Sequence, residues 1–129
     1  MLDANIVSAI VHDRYHARTM LARRNPDRVV ISVIVAGETL FGVEKRQSAM
    51  LREQVATVLG SLEILPIDAR VAATYASIRA ALERRGTPIG GNDLWIAAHA
   101  LTLDMTLVTA NIDEFARVEG LRVENWLTR

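Results

Sequence analysis

Three acidic side chains stand inside otherwise apolar stretches of this chain. They are Asp3, Glu38 and Asp93, and each lies where a buried strand or loop is expected to run into a helix. Burying an unpaired carboxylate is costly. A chain with three such residues at element ends is therefore constrained to a fold that brings those ends together, and the natural occupant of the resulting anionic pocket is a hard divalent cation.

Short β-branched segments alternate with helical patterns along the whole chain, and no linker or repeat interrupts them. We therefore predict one α/β domain covering residues 1–129, with a short, mostly parallel central sheet flanked by helices. Strands are expected at 1–3, 29–33, 63–65, 107–109 and 122–124. Helices are expected from about 5, at 15–24, at 36–60 with a possible break near 47–50, at 69–85, from 92 or 93 to 103, and at 112–118.

The order of these elements predicts where the acidic residues meet. In parallel sheets, ligands gather at the carboxyl ends of the strands. Asp3 follows the first strand, Glu38 follows the second, and residues 111–114 follow the strand at 107–109. Asp93 opens a helix that is entered from a Gly-Gly loop. We expect all four acidic positions to lie at one edge of the sheet.

Composition limits the kind of protein this is. No window is apolar and long enough to span a membrane, and no signal peptide precedes Asp3, so we expect a cytoplasmic protein that does not contact membranes. The net charge is zero, which gives no overall attraction to nucleic acid. Fourteen of the fifteen basic side chains are Arg, and the pairs Arg23-Arg24 and Arg84-Arg85 could form a local basic rim. Genomic base composition is the other explanation of that bias.

Each of the three buried acids also has an ordinary structural explanation. Asp3 could cap the first helix, but Asn5 can take that role and leave Asp3 free. Glu38 could be an exposed helical residue paired with a cation, although small residues surround it. Asp93 could simply favour a helix N-terminus, where the macrodipole attracts an anion. Their joint occurrence favours a shared site.

A fourth acidic position is less determined. Glu114 could complete the site, or it could form a capping box in which Asn111 is the N-cap and Glu114 the third helical residue. Asp113 is a competing candidate for the same role.

The histidines and tryptophans show no catalytic pattern. His99 lies six residues after Asp93 and points away from it on a helix, so we interpret it as a core or interface residue. His12 and His16 are placed on a surface helix. Trp95 and Trp126 are expected in the core or at an interface.

Converging carboxylates repel each other, and this repulsion raises the pKa of at least one of them unless a cation binds between them. Mg²⁺ or Mn²⁺ would accept these oxygen ligands and would permit hydrolysis of a phosphodiester without a catalytic histidine. The chain has no Walker or Rossmann glycine loop. A phosphoacceptor domain would need a lysine at a late strand end, whereas the single lysine is Lys45. A purely structural oligomer would not need acids in apolar settings.

Most of the chain resembles one known family. Residues 1–8, 31–45, 78–100, 107–115 and 120–126, including the stretch Gly-Gly-Asn-Asp-Leu-Trp-Ile-Ala-Ala-His at 90–99, resemble the PIN-domain ribonucleases and in particular the VapC-type toxins of bacterial toxin–antitoxin pairs. The resemblance implies a magnesium-dependent endoribonuclease, with Mn²⁺ as a possible substitute. Its acidic site corresponds to Asp3, Glu38, Asp93 and Glu114, with Asp3, Asp93 and Glu38 as the expected metal ligands.

The resemblance also implies a substrate and partners. Relatives cut structured RNA, often tRNA and in this branch frequently initiator tRNA, which blocks translation. They form homodimers and are silenced by a VapB-type antitoxin that inserts a C-terminal segment near the site, while its other half binds operator DNA. Ala4 departs from the Thr or Ser that relatives usually carry beside the first Asp. The alternative is therefore a catalytically weak PIN module that mainly binds RNA or the antitoxin.

Overall fold

The computed structural model describes residues 1–127, so the last two residues of the expected domain lie outside the described part of the chain. Helices and short strands alternate as predicted. The helices are α1 (Ala4–Val11), α2 (Ala17–Ala22), α3 (Val33–Arg46), α4 (Ala49–Gly60), α5 (Ala69–Arg84), α6 (Gly91–Thr102) and α7 (Ile112–Phe115). The strands are β1 (Val30–Ser32), β2 (Glu63–Leu65), β3 (Leu107–Val108) and β4 (Val123–Glu124), and a 3₁₀ turn covers Pro26–Arg28.

The strands form two parallel pairs that the first three residues join. β1 pairs with β2, and β3 pairs with β4. Leu2 lies between the pairs: its N–H donates to the Val30 carbonyl at 2.9 Å, and it bridges Val108 in parallel. The predicted first strand is thus reduced to a single bridge residue, and the predicted parallel sheet is confirmed.

Serine side chains set where the central helices begin. The Ser32 hydroxyl accepts a hydrogen bond from the Ile34 N–H at 3.2 Å, so α3 starts directly after β1, three residues earlier than predicted. The predicted break in the long helix is confirmed at Gln47, which adopts a left-handed conformation with φ of 52°. Ser48 then caps α4. A left-handed residue ends a helix because it turns the chain out of the hydrogen-bonded path.

The helix that carries Asp93 also begins earlier than predicted. Gly90 is its N-cap in an extended conformation, and the Leu94 N–H bonds the Gly90 carbonyl at 2.9 Å. Asp93 is therefore the third residue of α6 and not its first. At the other end of the chain, α7 stops at Phe115, three residues before the predicted end.

The core lies between the sheet and its helices. Its largest fully buried apolar side chains include Leu2, Ile6, Ile31, Ile96 and Phe115.

The burial predicted for the histidines and tryptophans is confirmed in part. His99 and Trp126 are buried. His12 and His16 are exposed as expected, but they lie in the turns between α1 and α2, so their predicted place on a helix was wrong. Trp95 is half-buried and stacks on Tyr75, with ring centroids 3.9 Å apart. Within residues 1–127, no helix has the length and apolarity needed to cross a membrane.

Candidate active site

Four carboxylates from four different elements face one space at the carboxyl edge of the sheet. Asp3 ends the joining segment, Glu38 lies in the second turn of α3, Asp93 in the first turn of α6, and Glu114 on α7. The charges of Glu114, Asp3 and Glu38 all act on Asp93, and the charge of Asp3 acts on Glu38. The sequence prediction that these four positions lie together is confirmed, while their chemical roles stay predictions.

Asp3 is the most firmly held of the four. It is only 3% exposed. Its Oδ1 accepts a hydrogen bond from the Ala4 N–H at 2.8 Å, and its Oδ2 accepts one from the Thr109 hydroxyl at 2.7 Å. Asp3 is therefore the N-cap of α1, and the expectation that Asn5 would take this role was wrong. The Asn5 amide instead donates to Asp3 Oδ2 at 3.3 Å and accepts from the Ala110 N–H at 3.1 Å.

Thr109 is a site residue that the sequence reasoning missed. It is fully buried, and its hydroxyl accepts from the Asn111 N–H at 3.0 Å while it donates to Asp3. It thereby joins the segment after β3 to the end of the first segment. A threonine directly after the apolar pair Leu107–Val108 was the available signal, because a hydroxyl at a buried strand end needs a partner.

Glu38 carries an unsatisfied oxygen. The side chain is half-buried, and its Oε1 has no hydrogen-bond partner within the described residues. Burial raises the pKa of this carboxyl first, the Asp3 charge raises it further, and the Asn92 side chain opposes the shift by hydrogen bonding. None of the ion pairs found within residues 1–127 involves Glu38, which counts against the alternative of an exposed, cation-paired glutamate.

Asp93 responds most strongly to this crowding. Burial raises its pKa to about 7, together with the charges of Glu114 and Asp3, a hydrogen bond with Glu114 and the charge of Glu38. A carboxyl that holds its proton near neutral pH signals an excess of negative charge around it. A cation in this space would replace that proton.

Glu114 faces the site and Asp113 does not. The Glu114 Oε1 accepts a hydrogen bond from the Gly90 N–H at 3.2 Å, and the side chain is half-buried, whereas Asp113 is exposed. Asn111 is the N-cap of α7 without a side-chain capping bond. The alternative capping box is therefore absent, and Glu114 instead links α7 to the start of α6.

Only part of the predicted basic rim lies near this site. Arg24 lies beside Met1 and Val29 at the opposite, amino edge of the strands, where it forms an ion pair with Glu124 at 2.9 Å. Arg117 lines a depression with Glu114, and Arg46 lines a groove with Glu38. The sequence pair Arg23-Arg24 therefore does not flank the acidic site, whereas two isolated arginines do.

The residues present fit a divalent cation. All four donors are carboxylates, the preferred ligands of hard cations, and Glu38 Oε1 is buried without a partner. A Cβ added at Gly90 would stand 3.8 Å from Asp93 Oδ2 and 4.0 Å from Glu114 Oε1, so the glycine leaves space between them. No three acidic or histidine side chains within residues 1–127 are already spaced as a finished ligand set.

Comparison with known proteins agrees along nearly the whole chain. The PIN domain family model matches residues 1–121. Ribonuclease VapC2 of Rickettsia felis is 38% identical, over 98% of this chain and 96% of that protein. The tRNA(fMet)-specific endonuclease VapC of Salmonella typhimurium is also 38% identical, with the same coverage.

Solved structures share the architecture. The structure of VapBC2 from Rickettsia felis bound to a promoter DNA fragment contains a chain that is 37% identical to this one, with a TM-score of 0.85 over 98% of this chain and 97% of that chain. A chain in the FitAcB structure from Neisseria gonorrhoeae is 26% identical, with a TM-score of 0.86 over 97% and 96%.

The crowded carboxylates predict an unusual dependence of stability on pH. Asp93 has a pKa of about 7 in the folded protein and about 3.9 in an unfolded chain. Between these values the folded state binds a proton that the unfolded state has lost, so the free energy of unfolding falls as the pH rises from about 4 to 7. In chelator, Asp93→Asn should therefore stabilise the protein at pH 8, by about 1–2 kcal/mol after allowance for solvent screening, and should give no such gain at pH 4.

Thermal or urea unfolding at both pH values measures this difference. Asp113→Asn is the matched control, because it removes a neighbouring but exposed carboxylate, and it should have the same small effect at both pH values. Equal destabilisation by Asp93→Asn at pH 4 and pH 8 would contradict the repulsion between the carboxylates.

Proposed function

This chain belongs to the PIN-domain family, and we propose that it is the endoribonuclease toxin of a VapBC-type toxin–antitoxin pair, acting in the cytoplasm. The observation that carries this proposal is the proximity of four carboxylates from four elements in one anionic space. The names of the relatives, which are ribonucleases and tRNA(fMet)-specific endonucleases, support it because the similarity covers nearly the entire chain.

Members of this family generally depend on a divalent metal, and Mg²⁺ is the ion we propose here, with Mn²⁺ as a substitute. Asp3, Glu38 and Asp93 would hold it. The unpartnered Glu38 Oε1 and the proton retained by Asp93 support this assignment, because both are features that a bound cation would remove. When bound, the cation supplies Lewis-acid stabilisation of the charge that develops at phosphorus and makes water more acidic.

The chain's own residues have separate tasks in the hydrolysis. Asp3 is fixed by three donors and so provides an immobile negative charge that orients the site. Glu114 is proposed to accept the proton of the water whose oxygen attacks phosphorus, since it is half-buried beside Asp93 and can turn from the Gly90 N–H. The phosphorus–oxygen bond to the leaving ribose oxygen then breaks, and that oxygen takes up a proton.

The proposed substrate is structured RNA, and tRNA in particular. A net charge of zero does not favour indiscriminate RNA binding. Arg46 lines the same groove as Glu38, and Arg117 lines the same depression as Glu114, so that single cations border the acidic space on two sides. We propose that an RNA backbone lies between them, so that shape selects the cleavage site.

No structural observation favours the catalytically weak alternative. Its support was Ala4, which has no hydroxyl where relatives usually carry one. The contact from position 4 to Asp3 is made by the main-chain N–H at 2.8 Å and does not depend on the side chain. The cleavage assay below distinguishes the two functions.

Purified protein should cleave tRNA only when Mg²⁺ or Mn²⁺ is present. Asp93→Asn should lower the rate by at least about 100-fold, because it removes a carboxylate that would hold the cation stabilising the charge at phosphorus, while circular dichroism shows an intact fold. Asp104→Asn, which removes an exposed carboxylate after α6, serves as the control and should cut at the normal rate. Undiminished cleavage in excess chelator would refute the metal-dependent mechanism.

In cells, the RNA should be cut at one or a few positions. Brief expression without the antitoxin should arrest growth and enrich new RNA ends in the anticodon loop of a tRNA, because unstacked loop bases are accessible to a pocket. Asp3→Ala should relieve the arrest. Sequencing of RNA ends checks this, and ends spread evenly over all transcripts, or arrest unchanged by Asp3→Ala, would overturn the proposed specificity.

The proposed antitoxin site is a groove that opens beside Glu38. It has a volume of about 300 Å³ and is walled by α1, α3 and α4. Its floor is apolar, with Val11, Val43 and Val55, and Arg46 lies at its rim. We propose that a C-terminal antitoxin segment occupies this groove and covers the acidic site, because an extended apolar groove next to a charged centre suits an amphipathic peptide.

A second surface supports the proposed homodimer. Leu40 and Phe41 are adjacent on α3, and Phe41 is 67% exposed. An apolar pair of this size on a helix that faces solvent is typical of an interface. The two proposed surfaces use different faces of α3 and can be separated by mutation.

Sedimentation tests both surfaces in one experiment. The protein alone at micromolar concentration should have about twice the 14.2 kDa mass of one chain, and addition of the antitoxin should increase the mass further. Gly42→Leu should keep the dimer and lose the antitoxin, because Gly42 lines the groove and nothing lies within 4 Å of its added Cβ.

Gly60→Leu at the far end of α4 is the matched control, and it should keep both associations. A monomer in the absence of antitoxin would refute the dimer, and full antitoxin binding by Gly42→Leu would refute the assigned groove.

A further inference from the structure

A polar pair lies in the apolar core beneath the acidic site. The Ser32 hydroxyl and the His99 Nδ1 are 2.8 Å apart, and the two residues are 0% and 1% exposed. Ser32 ends β1 and caps α3, whereas His99 lies in the middle of α6. The proposed mechanism uses neither side chain, although each belongs to an element that carries a proposed metal ligand.

The surrounding hydrogen bonds fix the direction of this contact. The Ser32 oxygen already accepts from the Ile34 N–H at 3.2 Å, so its own proton is free to donate to His99 Nδ1. The imidazole proton is then assigned to Nε2, on the side of the Pro66 carbonyl. Burial lowers the pKa of His99, which keeps the ring neutral and able to accept.

We propose that Ser32 and His99 are positioning residues, whose hydrogen bond sets the placement of α3 relative to α6 and therefore of Glu38 relative to Asp93. This inference rests on the proposed metal-dependent function of that site. Apolar neighbours such as Val35 and Ile96 fill the same region, but dispersion contacts tolerate small sliding of two helices, whereas a buried hydrogen bond does not.

The spacing along the two helices supports this role. Glu38 follows Ser32 by six residues, and Asp93 precedes His99 by six residues. Each carboxylate is therefore about 9 Å along its helix from the hydrogen-bonded pair. A change in helix placement at the pair is transmitted to both carboxylates through less than two turns of regular helix.

The test measures binding of Mn²⁺ alone to the full chain, together with cleavage and thermal stability. His99→Leu removes the hydrogen bond with little change in volume and leaves the cap of α3 in place, whereas Ser32→Ala removes both this bond and the capping bond to the Ile34 N–H. His99→Asn keeps an acceptor oxygen at the position of Nδ1 and is the conservative variant. Ile96→Val, a fully buried change on the same helix, is the control for a simple loss of packing.

His99→Leu and Ser32→Ala should each weaken Mn²⁺ binding roughly three- to tenfold. They should also lower kcat with little change in KM, since neither buried residue can contact RNA. His99→Asn should recover most of the Mn²⁺ affinity. Ile96→Val should lower Tm but leave the Mn²⁺ affinity unchanged. The double variant His99→Leu/Ser32→Ala should bind Mn²⁺ no more weakly than Ser32→Ala alone, because the Ser32–His99 bond is already absent in that single variant.

A lower Tm with unchanged Mn²⁺ affinity in Ser32→Ala and His99→Leu would overturn the inference while leaving the proposed function in place. If His99→Leu does not fold, Ser32→Ala is compared with Ile96→Val. Equal Mn²⁺ affinity in these two variants would then overturn the inference. An unmodified protein that binds no Mn²⁺ would refute the proposed function, and this inference with it.

Discussion

Repulsion among four carboxylates at one edge of the sheet is the constraint on which the rest of the structure depends. Asp3 is held in place by donors from Ala4, Thr109 and Asn5. Burial, together with the charges of Glu114 and Asp3, raises the pKa of Asp93 to about 7. The apolar core beneath must supply enough stability to hold these groups together, and its fully buried aliphatic side chains do so.

Much of the fold could be predicted from the sequence because local signals agreed with one another. The strand at Glu63–Leu65 and the start of α5 at Ala69 were placed correctly, since turn and cap residues bounded them. The starts of α3 and α6 were predicted less well. Ser32 ends β1 and also caps α3, so no loop separates the strand from the helix, and Gly90 begins α6 without any side-chain capping bond. Neither arrangement marks the start of the helix in the sequence.

The sequence allowed the residues of the acidic site to be predicted, but not the hydrogen bonds that hold them together. Carboxylates in apolar surroundings identified Asp3, Glu38 and Asp93, because such positions are rare without a function. The choice between Glu114 and Asp113 needed the structure, since adjacent residues on a short helix differ only in which side they face. The roles of Thr109 and Asn5 were hidden for another reason: they depend on contacts between residues more than 100 positions apart, which no local pattern contains.

That separation along the chain has a consequence for how the acidic site forms. Thr109 meets Asp3 across 106 positions, and Glu114 accepts from the Gly90 N–H out of α7, the helix that follows β3 in sequence. A chain that ends before Thr109 contains Asp3, Glu38 and Asp93 but lacks both the Thr109 hydroxyl that holds Asp3 and the side chain of Glu114. The four carboxylates therefore come together only when the last quarter of the polypeptide packs against its first residues.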